Sequence, residues 1–135
     1  MRVVTYFFFY TYVGLLILAG AWGVWFATVD TKFLFHMDVK VLEPRSAASV
    51  VSQYRFLRAV EFGFGMFAFL FRREIFQRRA FNRLFVGTMA FGVWARVLSL
   101  VLDGRPYAAF DFFAGYELVG LILILSYSRR TLEAS

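Results

Sequence analysis

Four long apolar stretches, separated by short charged connections, set the polarity pattern of the chain. From Val3 to Val29 no charged residue interrupts the first stretch. That exceeds the roughly 20 residues a helix needs to cross ~30 Å of hydrocarbon. The run stays apolar beyond Ala19-Gly20-Ala21, through Trp22-Gly23-Val24-Trp25-Phe26, so it reads as a spanning helix rather than a cleaved signal peptide. The second run, Ala59 to Phe71, reaches spanning length only when extended back through Arg58, Arg55 and Tyr54, which gives a span near 54–71 with a polar outer end. A third run, 84–102, is interrupted only by Arg96. The fourth, Phe112 to Tyr127, contains Glu117 and is entered through Pro106 to Asp111, which gives a span near 108–128. These predict an all-α, multi-pass integral membrane protein: one transmembrane domain over 1–135, built as a four-helix bundle.

Between the first two spans lies an outer segment, 30–53, in which Phe33, Phe35, Met37, Val39 and Val41 alternate with Leu34, His36, Asp38 and Lys40. A period of two predicts an extended or interfacial stretch. Pro44 should break it, and Ser46 is the expected N-cap of a helix leading into the second span. His36, alone in this segment, reads as a surface residue. Trp22, Trp25 and Trp94 read as interface anchors or packing residues. Ala19 and Gly23 form a small-residue step that permits close helix approach.

At 61% hydrophobic and 21% aromatic, the 135 residues depart from both a soluble globule and a disordered chain. The lack of cysteine and the single histidine exclude a disulfide framework, a thiol nucleophile and a zinc or haem cluster, so neither cofactor nor metal is expected. Charge fixes an orientation. Arg2, the connection bearing Arg72, Arg73, Arg78, Arg79 and Arg83, and the tail bearing Arg129 and Arg130 outweigh Glu74 and Glu133, and they account for the whole net charge of +6. Charges on the other face balance. By the positive-inside rule both termini and the arginine-rich connection are cytoplasmic. The basic pI then reflects topology and anionic headgroups rather than nucleic-acid binding.

Ionisable residues inside spans are costly, so they carry most of the functional information. Tyr54, Arg58, Glu61 and Gly65 share one helical face; Arg96, Ser99 and Asp103 share another; Glu117 lies on a third helix. Arg58, Glu61, Arg96 and Glu117 can share the outer half of the bundle, with Arg96 about 10 Å below the outer end of its helix. The expected constellation sets Arg58 and Glu61 against Arg96 and Glu117, with Asp103 as a rim acid. It has two readings: a polar network holding helices in register, or a cavity for the polar end of an amphiphilic small molecule or lipid. Proton transfer by Glu117 is disfavoured because neighbouring arginines hold the carboxylate charged, and no phosphate loop, metal motif or nucleophile elbow is present.

The stretches Arg58-Ala-Val-Glu-Phe-Gly-Phe-Gly65, Ala95-Arg-Val-Leu-Ser-Leu-Val-Leu-Asp-Gly-Arg-Pro106 and Tyr116-Glu-Leu-Val119 resemble a family of small four-helix bacterial inner-membrane proteins catalogued as a domain of unknown function. The resemblance covers about 54–130. It implies four helices in a bacterial inner membrane and supplies no activity. The expectation is therefore a non-enzymatic protein binding an amphiphile or lipid through Arg58, Glu61, Arg96, Ser99, Asp103 and Glu117. The alternative is an accessory subunit of a larger membrane complex, with a membrane protein or a second copy as partner.

Overall fold

In the computed structural model the described residues are 2–133, without the side chain of Glu133, whose tail charge counted above lies outside them. The chain is all-helical. Six α-helices run in the order α1 (Arg2–Trp25), α2 (Ala27–Leu34), α3 (Pro44–Leu70), α4 (Arg72–Gln77), α5 (Arg79–Leu102) and α6 (Ala108–Glu133), with a 3-10 turn at Val39–Val41. Three of them, α1, α5 and α6, are long and apolar enough to cross a membrane. Helix α3 is the longest, but Arg45, Arg55, Arg58 and Glu61 divide it, so that it has no uncharged run of spanning length.

Where sequence and structure differ, the cause is local. The first helix stops at Trp25 instead of running to Val29, because Phe26 leaves helical geometry (φ −111°, ψ 32°) before α2 begins. No proline announces such a break, and the nearest glycine, Gly23, lies inside the helix before it. The outer segment is not extended: Ala27–Leu34 is helical and Val39–Val41 is a 3-10 turn. His36 terminates α2 in the left-handed region (φ 51°), while the Met37 N–H donates to the Thr31 carbonyl at 3.1 Å. The Thr31 carbonyl also accepts the Phe35 N–H at 3.3 Å, so one acceptor closes the helix end around His36, in a conformation that glycine usually supplies. Ser46 is likewise not the N-cap. Pro44 starts the helix, as its fixed φ and missing N–H allow, and Glu43 caps it by accepting from the Ser46 N–H at 3.0 Å and the Ser46 hydroxyl at 3.3 Å.

Backbone N–H groups of Arg45 and Ser46 hold the Glu43 carboxyl below its ordinary value of 4.5. A depressed folded pKa stabilises above the unfolded value and is lost as pH falls through the folded one. The Ser46 amide shift in an NMR titration is therefore expected to move with a midpoint below 4.5, and to lose that transition in Glu43→Gln. A midpoint at or above 4.5 contradicts the cap.

The chain divides into two compact units, one of residues 1–12 with 68–135 and one of residues 13–67. In the first, the arginine-rich connection is not a plain loop. Ile75 and Phe76 make it a short helix by burying themselves, and the Asn82 amide donates to the Ile75 carbonyl at 3.0 Å. Phe9 meets Phe76 and Phe85 at centroid distances of 5.2 and 5.3 Å, and Tyr6, Phe76 and Tyr127 form a ring cluster at 4.9 to 5.8 Å. Gly104 (φ 93°) ends α5, and Arg105 binds Asp111 at 2.8 Å across the turn into α6.

In the second unit, close approach of α1 to α3 rests on Gly20 and Gly65. A side-chain carbon at Gly20 would lie 2.6 Å from the backbone nitrogen of Phe62 and 2.8 Å from the carbonyl oxygen of Arg58; one at Gly65 would meet Ile17 at 2.8 Å. Gly20 thus takes the part assigned to Ala19, which is only half-buried. Phe35, at the end of α2, sets its ring edge-on to Tyr54 at 5.7 Å.

Candidate functional site

Arg58 organises the polar cluster of the second unit. Its Nη1 donates to Glu61 Oε2 at 2.6 Å and its Nε to the Tyr54 hydroxyl at 2.7 Å; the guanidinium also lies over the Tyr54 ring, 4.9 Å from the centroid. The i, i+3 and i, i+4 spacings on α3 make both contacts local. Tyr54 passes the chain on by donating to Asp30 Oδ2 at 2.7 Å, and Trp22 Nε1 donates to Asp30 Oδ1 at 3.0 Å. Arg58 Nη2 stands 3.8 Å from the same carboxylate. Gly23 makes this possible, since any side chain there would collide with Arg58, meeting its Nε at 2.8 Å.

Two carboxylates thus flank one guanidinium, and only 15% of the Arg58 side chain and 12% of that of Asp30 remain exposed. Both Asp30 oxygens accept a hydrogen bond, as a buried carboxylate requires. Asp30 and Trp22 are members that sequence reading missed. An uncharged run to Val29 places Asp30 in the connection beyond the first span, and nothing local marks the Trp22 N–H as engaged. The available signal was the acid itself, placed directly after an uncharged run.

In the first unit, Arg96 on α5 meets Glu117 on α6 through a two-point fork: Nε to Oε2 at 2.7 Å and Nη2 to Oε1 at 2.9 Å. Paired planar groups give the strongest and most directional form of this contact. The pair is not sealed. The Arg96 side chain is 37% exposed and that of Glu117 19%. Its surroundings on α5 are apolar and outward-facing, with Phe91, Trp94, Val97 and Val101 all exposed. Ser99, one turn on, donates to Asp103 Oδ2 at 2.8 Å, and its carbonyl accepts the Asp103 N–H at 2.8 Å, so these two close the end of α5 in an exposed position. A polar contact that sequence reading missed joins α1 to α6 through the hydroxyls of Thr11 and Tyr116.

The six predicted residues thus form two pairs within single helices, Arg58 with Glu61 and Ser99 with Asp103 across the end of α5, and one pair between helices, Arg96 with Glu117. Among the described residues, no group of histidines and carboxylates is arranged to hold a metal ion. The family model for a domain of unknown function, DUF4345, matches residues 1–128. No curated protein and no solved structure matches the chain.

Proposed function

We propose, for a chain that belongs to the DUF4345 family of domains of unknown function, a non-enzymatic membrane protein that holds the polar end of an amphiphilic small molecule or lipid at Arg96. The observation that carries this reading is the exposure of Arg96. A guanidinium inside an apolar helix is costly unless it is paired and shielded, and here pairing is complete while shielding is not. An anionic or strongly accepting group delivered from the membrane would occupy the open side, with Ser99 and Asp103 one to two turns nearer the helix end. Glu117 fixes the plane of the guanidinium. Arg58, engaged by Tyr54 and Glu61 and laid against Gly23, acts as a staple.

The same reading places the chain in a bacterial inner membrane as four spans, α3 being the polar one, with both termini cytoplasmic. Support comes from the arginines of the first unit. Arg2, Arg72 and Arg73 share one cleft with Tyr127 and Thr131 near the end of α6, as expected if the start of α1, helix α4 and the end of α6 face one aqueous phase.

Mass spectrometry of the protein purified in mild detergent should find a small amphiphile in the wild type, reduced about tenfold or more in Arg96→Leu, since a hydrogen bond to a charged group contributes about 1.5–3 kcal/mol. Equal amounts in both proteins would refute the assignment.

A further inference from the structure

At the far end of α5 from Arg96, and independent of that site, a groove of about 540 Å³ runs between α5 and α6. Its rim carries Arg79, Arg83 and Arg129; its wall includes Val86, Gly87 and Leu125. Arg79 and Arg83 are one turn apart on one helix face, and Arg129 comes from the last turns of α6. Among the described residues no carboxylate lines the groove, and none of the three arginines has an acidic partner. Basic at one end, the groove turns apolar within one to two helical turns. Beyond it the surface continues apolar through the exposed Leu118, Ile122 and Phe91.

Orientation by positive charge needs arginines on one side; it does not need three of them converging on an apolar slot. We infer that this groove binds an anionic phospholipid of the cytoplasmic leaflet, its phosphodiester held by Arg79, Arg83 and Arg129 and an acyl chain lying along Val86, Gly87 and Leu125. Basic pockets between spanning helices on the cytoplasmic side suit such headgroups. Choline lipids, whose headgroup has no net charge, match the rim less well. The cleft at Arg2, Arg72 and Arg73 provides an internal comparison, equally basic but walled by Tyr6, Tyr10 and Tyr127.

Gly87 makes the test clean, because a side-chain carbon there would meet nothing within 4 Å. Gly87→Trp should fill the groove without disturbing the helix. Native mass spectrometry of the full-length protein would titrate phosphatidylglycerol, phosphatidylcholine and soluble glycerol 3-phosphate, with circular dichroism confirming equal helix content. The wild type is expected to prefer phosphatidylglycerol by about fivefold for each arginine engaged. Arg79→Gln/Arg83→Gln should lose that preference, Gly87→Trp should lose the bound lipid, and Arg72→Gln/Arg73→Gln should keep both. The inference falls if a folded Gly87→Trp retains the lipid, if Arg72→Gln/Arg73→Gln loses as much preference as Arg79→Gln/Arg83→Gln, or if glycerol 3-phosphate displaces the lipid. Should Gly87→Trp misfold, the two arginine pairs still decide the question.

Discussion

Arg58→Leu is expected to destabilise the protein by about 3 kcal/mol, because removing one partner from a buried ionic network leaves the other charges uncompensated. Asp30 would keep its hydrogen bonds from Trp22 and Tyr54 but lose its nearest positive charge, and Tyr54 would lose the donor on its oxygen. Glu61 is the more exposed acid and can recover solvent, which keeps the effect at the lower end of the 3–5 kcal/mol range for buried pairs. Arg58→Lys should recover only part of the loss, since an ammonium cannot serve Tyr54 and Glu61 with the same planar geometry. Denaturant unfolding in detergent, followed by circular dichroism, reads both variants. A change below about 0.5 kcal/mol for Arg58→Leu, the range of ordinary surface substitutions, would show that the network is not structural.

Gly20→Ala is the second large effect, and its sign separates two forces. Helix propensity alone favours alanine over glycine by about 0.8–1.0 kcal/mol. Packing opposes it, because the added carbon would sit 2.6 Å from the Phe62 nitrogen, 2.8 Å from the Arg58 carbonyl and 2.9 Å from the Phe62 Cα, all backbone atoms that cannot rotate away. Overpacking typically costs about 1–3 kcal/mol, occasionally more, and the upper end applies where the opposing atoms are backbone. The expected result is a loss of about 2–3 kcal/mol after the propensity gain. Gly63→Ala, on α3 with nothing within 4 Å of the new carbon, supplies the control and should be neutral or stabilising. Equal behaviour of the two variants would mean that α1 and α3 do not approach as described.

These two sites show what was legible beforehand. The Arg58–Glu61 contact follows from helical spacing alone, and Arg96 and Glu117 stood out as the only charges in their apolar runs. Helix existence was equally plain, since long apolar stretches state it. The break at Phe26 was not, because hydrophobicity records burial in lipid and not the backbone angle at one residue. Misplacing that break moved Asp30 into a loop and hid its bonds to Trp22 and Tyr54. The alternation from Phe33 to Val41 misled for a related reason: in a short segment, caps at His36 and Glu43 outweigh a period of two. Gly20 was passed over in favour of Ala19 because which residue of a helix faces its neighbour depends on rotation, which small-residue spacing alone does not fix.

The central claim is that Arg96 serves a ligand and not only Glu117, and one comparison separates these roles. In Arg96→Leu/Glu117→Leu both charges leave together, so no uncompensated ion remains in the span and stability should return to near that of the wild type. The direct measurement is mass spectrometry of small molecules co-purified with this doubly substituted protein. The account predicts a stable protein that has lost the bound amphiphile. A stable protein carrying it at the wild-type level would contradict the account and leave the Arg96–Glu117 pair as a helix-to-helix tie.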